Sequence, residues 1–147
     1  MKILFLDIDG VLNTPTFIDE VDAKIFSSGQ IDPRLIDNLN IIVAQTNCKI
    51  VVSSTWRRHN SIQVLQKTLE DRRFKGSIID LTPINDLPRH LQIEQWLDTT
   101  SLDVKKFVIV DDFYDMPNLT RHFVKTNEKF GLTEEDAFSC IKILNKN

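Results

Sequence analysis

Glycine and proline are scarce in this chain, at four and five positions of 147. That scarcity excludes collagen-like and Gly/Pro-rich low-complexity chains. Apolar residues at 41% and charged residues at 27% exclude a largely disordered chain as well. Cysteine occurs only twice, at Cys48 and Cys140. Two such distant residues form neither a disulfide framework nor a CxxC metal knuckle, and they read as reduced core thiols. No charge sign dominates, since 18 Lys and Arg against 21 Asp and Glu leave a formal net charge of -3. This balance excludes a uniformly basic nucleic-acid coat, though not a local basic patch. Long hydrophobic runs are missing too. The first apolar run, Ile3 to Leu6, ends at Asp7, too short for a signal-peptide core or a spanning helix. A soluble, cytoplasmic protein with no membrane partner is the expectation. The length fits one domain over residues 1–147, able to bury roughly 70% of its unfolded-chain surface.

What is present alternates between strand and helix signals. Ile3-Leu4-Phe5-Leu6, Ile50-Val51-Val52 and Phe107-Val108-Ile109-Val110 are continuous apolar runs, as in strands buried on both faces. Ser77 to Leu81 and Phe123-Val124 are shorter strand candidates. Asp32-Pro33 reads as a helix start, with Leu35, Ile36, Leu39, Ile42 and Val43 on one stripe and Asn47 as the stop. Further helices are predicted from about Ser61 to Arg72, from Pro88 with Leu91, Ile93, Trp96 and Leu97, and from Thr133 to Leu144. Thr133 and Asp136 resemble a capping box. The pattern predicts an α/β fold, a central mostly parallel sheet with helices on both faces. Asn13 to Gln30 is too long for an ordinary strand-to-helix loop and predicts a small hairpin or flap over the first strand's end.

Ligands of open parallel sheets bind at the carboxyl ends of the strands. Three strand ends carry polar groups here: Asp7-Ile8-Asp9-Gly10, Ser53-Ser54-Thr55 followed by Trp56-Arg57-Arg58, and Asp111-Asp112. In extended backbone Asp7 and Asp9 point the same way, so up to four carboxylates are expected in one crevice. They cannot all stay ionised there without a counter-charge. Mg2+ suits that role, with carboxylates, waters and a substrate phosphate as ligands. One carboxylate can serve as a covalent nucleophile and another as general acid and base. Ser or Thr hydroxyls and a cation would hold the other phosphoryl oxygens. His59, His90 and His122 show no ligand spacing and read as surface or loop residues.

Asp7-Ile8-Asp9-Gly10-Val11-Leu12 closely resembles the first motif, DxDGx(L/I), of the haloacid dehalogenase (HAD) phosphatase superfamily. Ser53 or Ser54 fits its second motif and Asp111-Asp112 its acidic fourth motif. The resemblance implies a Rossmann-like HAD fold and a Mg2+-dependent phosphomonoesterase. It makes Asp7 the nucleophile and a metal ligand, and Asp9 the general acid/base with its backbone carbonyl on the metal. Ser53 would bind the phosphoryl group, with Ser54 the alternative in register. Asp111 and Asp112 would hold Mg2+, with Asp115 a weaker candidate. The chain departs from the common third motif, a Lys at or before the helix leading into the fourth-motif strand. Arg89 stands there instead, and it would clamp phosphate bidentately. Lys105 and Lys106 fall at the amino end of that strand, away from the site.

No inserted lid domain is visible, and an open site suits a large substrate. Ser53-Ser54-Thr55-Trp56-Arg57, Thr82-Pro83, Arg89 with Trp96-Leu97, and Val110-Asp111-Asp112 are similar to the small capless HAD domains associated with RNA-repair proteins. That similarity implies a phosphatase of nucleic-acid ends, with a 3'-phosphate as the leading substrate. Trp56 would stack a base, and Arg57 or Arg58 would hold a backbone phosphate; the alternative is that Trp56 packs at the helix start and the arginines are solvated. The alternatives are a phosphatase of a small metabolite or nucleotide, and a catalytically silent HAD-type binding or signalling domain. The oligomeric state is not legible in the sequence.

Overall fold

The apolar runs fold as the strands of one parallel sheet in the computed structural model, which describes residues 1–147. The strands are β1 (Lys2–Leu6), β2 (Lys49–Val52), β3 (Ile78–Leu81), β4 (Lys106–Asp111) and β5 (Phe123–Lys125), in the order β3-β2-β1-β4-β5. Every pairing is parallel, a stricter arrangement than the mostly parallel sheet expected. The three continuous runs are the three central strands, which are covered on both faces and so have no polar alternation.

The helices are α1 (Pro15–Glu20), α2 (Pro33–Thr46), α3 (Ile62–Glu70), α4 (Arg89–Thr99) and α5 (Glu134–Asn145). Strand side chains alternate between two cores. Leu4, Leu6, Ile50, Val52, Val108 and Val110 join a cluster with α2, α3 and α5 residues such as Leu39, Leu65 and Cys140. Ile3, Phe5, Val51 and Ile109 join a smaller one with Ile93 and Trp96 of α4. Both cysteines are buried and unpaired. No helix is long and apolar enough to cross a membrane.

The capping signals work as the residues suggest. Asp32 accepts from the Arg34 N–H ahead of α2, and Asn47 ends that helix in left-handed conformation at φ 56°. Thr133 and Asp136 form a reciprocal capping box at α5. In α4 the expected apolar stripe is displaced, since Leu91 is exposed while Arg89 and Gln92 are buried. Two polar side chains turn the start of this helix toward the strand ends.

The segment after β1 is not a hairpin. Thr14 caps the short helix α1, and a 3-10 turn at Ser28–Gln30 leads into α2. A Pro at the first helical position, with a threonine hydroxyl on the Phe17 N–H, favours helix over strand pairing. Between them Phe26 adopts φ 59° and packs edge-on against Trp56, with ring centroids 5.4 Å apart.

Candidate active site

The sheet register assembles the site. β1 lies between β2 and β4, and each chain leaves its strand at the same level. The Asp7 N–H donates to Val110 O at 3.0 Å, and the Ser53 N–H donates to Leu6 O at 3.0 Å. Asp7 therefore emerges between Ser53 on one side and Asp111 on the other. The strand order reverses at β1, the switch point where α/β sheets open a crevice.

Carboxylate oxygens of Asp7, Asp111 and Asp112 all lie within 4.8 Å of one another. Burial, then the nearby Asp111 carboxylate, holds the Asp7 carboxyl well above its ordinary value. Burial also raises Asp112. A buried acid trio of this kind is a donor set for a hard divalent cation. The backbone keeps room for it: Gly10 has φ 77°, and a Cβ there would collide with the Asp112 carboxylate. Asp111 Oδ1 accepts from the backbone N–H groups of Phe113 and Tyr114 at 3.0 and 3.3 Å, which fixes its carboxylate.

Arg89, the first residue of α4, supplies positive charge. Its Nη1 lies 2.7 Å from Asp111 Oδ2 and 3.2 Å from Asp7 Oδ1. The Tyr114 ring covers its guanidinium at 4.4 Å. Burial depresses the Arg89 guanidinium, but the Asp7 and Asp111 carboxylates more than offset this and leave it raised.

The two serines divide. Ser54 accepts from the Trp56 N–H and caps the 3-10 helix Thr55–Arg58. Ser53 Oγ is fully buried and makes no hydrogen bond, and Thr82 Oγ1 at the end of β3 shares that state. Buried hydroxyls are nearly always bonded, so the Ser53 hydroxyl beside the Asp7 strand end is available to a ligand.

Asp9 lies outside the trio. The chain turns after β1 instead of staying extended, so the four-carboxylate cluster expected from spacing is a cluster of three. Asp9 is exposed, and its Oδ1 accepts from Asn13 Nδ2 at 3.0 Å and from Trp56 Nε1 at 3.1 Å. Asn13 Oδ1 in turn accepts from the Gly10 N–H.

The family comparison agrees with this geometry. A family described as the HAD domain in Swiss Army Knife RNA repair proteins matches residues 3–137. The chain belongs to this HAD family. No curated protein and no solved structure matches it.

Within the HAD domain, two residues expected to touch substrate are buried in other work. Trp56 is 1% exposed, closed in by Phe26, and its indole N–H is on Asp9. No ring face is left for a base to stack on. Arg57 is 4% exposed, and all five of its N–H donors are engaged. Nε donates to Thr82 O, Nη1 to Ser53 O and Ser54 O, and Nη2 to Pro83 O and Gln92 Oε1. Arg57 thus ties the ends of β2 and β3 to α4. Asp115 stands off, exposed, with Lys125 Nζ at 3.9 Å. Lys106 begins β4 at its far end, as expected.

Asn13 and Tyr114 are neighbours of the candidate site that the motif reading passed over. Asn13 had a signal, since an amide three residues after a turn glycine can reach back to it. Tyr114 had none, because its approach to Arg89 depends on how the loop after β4 folds.

Proposed function

We propose that this HAD domain is a Mg2+-dependent phosphomonoesterase working through an aspartyl-phosphate on Asp7, and that its substrate is a nucleic-acid end bearing a 3'-phosphate. The observation that carries this reading is the register of β2, β1 and β4. It sets the Asp7 carboxylate among Asp111, Asp112 and Arg89, with the bondless Ser53 hydroxyl on the neighbouring strand end. RNA-repair membership supports the choice of substrate. A small phosphorylated metabolite is the next substrate class.

Asp7, Asp111, Asp112 and the Asp9 carbonyl would hold Mg2+, which supplies charge neutralisation for an incoming phosphate dianion. The Asp7 carboxylate attacks phosphorus, and the bond from phosphorus to the leaving oxygen breaks. Asp9 gives its proton to that oxygen. Water then attacks the phosphoryl group, Asp9 takes the proton from it, and the Asp7–phosphorus bond breaks to release inorganic phosphate. Ser53 Oγ and Arg89 hold the equatorial oxygens during both transfers.

The test is phosphate release with Mg2+ from p-nitrophenyl phosphate, nucleotides, a phosphopeptide and oligonucleotides ending in 3'- or 5'-phosphate. Asp7→Asn is expected to reduce turnover to background on every substrate, with the 3'-phosphorylated oligonucleotide preferred by the unaltered protein. Turnover that survives Asp7→Asn rejects the mechanism. Preference for a small phosphate rejects the substrate and keeps the mechanism.

A further inference from the structure

Beside the acid trio lies a cavity of about 240 Å3 that shares Arg89 and Tyr114 with the site. Its charge is one-sided. Arg57, Arg58 and Arg89 line it, against the single acid Asp86. Arg89 is matched by Asp7 and Asp111. Arg57 meets only neutral acceptors, and its own donors are all engaged.

Arg58 is different. It is exposed, it forms no ion pair, and its single side-chain hydrogen bond is a long one of 3.5 Å from Nη2 to Asn85 O. Burial, then the charges of Arg89 and Arg58, push Arg57 down to about 10, against a smaller opposing effect of Asp7. The rim carries aromatic surface as well. Tyr114 is 41% exposed, and Phe113, 74% exposed, meets it edge-on.

We propose that this cavity is the leaving-group subsite, in which Arg58 binds the phosphodiester next to the scissile phosphate of a single-stranded nucleic-acid end and Tyr114 supports the adjoining base. This rests on the phosphatase reading for the position of the scissile group. A guanidinium with free donors beside a buried, neutral-bonded cationic partner is suited to a phosphodiester. An exposed ring beside it offers the stacking surface that single strands use. A phosphopeptide would fill the same cavity without needing the ring.

The experiment measures two quantities on the full chain. One is kcat/KM with a 3'-phosphorylated hexauridylate and with p-nitrophenyl phosphate, for the unaltered protein and Arg58→Ala. The other is binding of the hexauridylate to Asp7→Asn and to Asp7→Asn/Arg58→Ala across a salt series. Arg58→Ala is expected to lower the ratio of oligonucleotide to p-nitrophenyl phosphate efficiency about tenfold. The slope of log affinity against log salt is expected to shrink by about 0.7, one single-strand phosphate. Arg58→Lys should restore the salt slope and only part of the efficiency. An unchanged ratio and slope overturn the proposal, as does absence of oligonucleotide binding or tighter binding of a phosphopeptide. Oligonucleotide binding with the Arg58 salt slope, but without Asp7-dependent turnover, overturns the phosphatase reading and leaves the subsite standing.

Discussion

The indole N–H of Trp56 donates to Oδ1 of Asp9 at 3.1 Å, joining the second strand end to the first-motif turn. Asn13 completes the hold on the same oxygen. In the proposed mechanism Asp9 is the general acid, and because it is exposed its aim rests on these contacts. Trp56→Phe keeps the buried ring and removes the donor. A carboxyl left without this aim is expected to lower kcat roughly tenfold, about 1.4 kcal/mol of barrier, with KM nearly constant. Steady-state phosphate release measures this. A kcat within twofold of the unaltered protein would remove Trp56 from the mechanism.

Arg57 carries a different expectation, because its role is architectural. Arg57→Met leaves four carbonyls and the Gln92 amide oxygen without their donor. The loss of several buried hydrogen bonds should destabilise the fold by about 3 kcal/mol, lowering Tm by roughly 6–12 °C for a chain of this size. Thermal melts followed by circular dichroism test it. A Tm within 2 °C or so of the unaltered protein would mean the clamp is dispensable.

How far the sequence could be read follows from what kind of information each residue carries. The central strands announced themselves because both of their faces are buried, and the helix caps because a single side chain satisfies a local donor. The convergence of Asp7, Ser53, Asp111 and Arg89 is legible because each sits at an element end, where the sheet register sets its neighbours. The burial of Trp56 and Arg57 is not legible in the sequence, since the same dipeptide on an open turn would face solvent. Their burial depends on Phe26, Thr82, Pro83 and Gln92, brought in from distant parts of the chain. Extended spacing past Leu6 would put Asp9 with the other acids, but the strand ends at Leu6 and the chain turns.

Gly10 makes a backbone prediction. Its φ of 77° and the Asp112 carboxylate leave no place for a Cβ. Gly10→Ala should destabilise the protein by about 1–3 kcal/mol and displace Asp112. Mg2+ affinity should then weaken more than tenfold, read by isothermal titration. Retained affinity would show that Asp112 is not needed for the cation.

Proton and metal should compete for the acid trio. Burial and Asp111 hold the Asp7 carboxyl well above its ordinary value, so the folded state keeps a proton that the unfolded chain has lost. This contribution to stability is complete below the ordinary carboxylate value. It is lost as pH rises through the elevated one. A divalent cation replaces the proton, so its stabilising effect should grow over the same window. At 100 times its Kd the ion adds about 2.7 kcal/mol, or roughly 5–10 °C in Tm. Melting curves from acid to neutral pH, with and without Mg2+, test this in the unaltered protein and in Asp111→Asn. The expected result is an increment that fades toward acid pH and is much reduced by Asp111→Asn. An increment independent of pH, or undiminished in the variant, would place the cation elsewhere on the molecule.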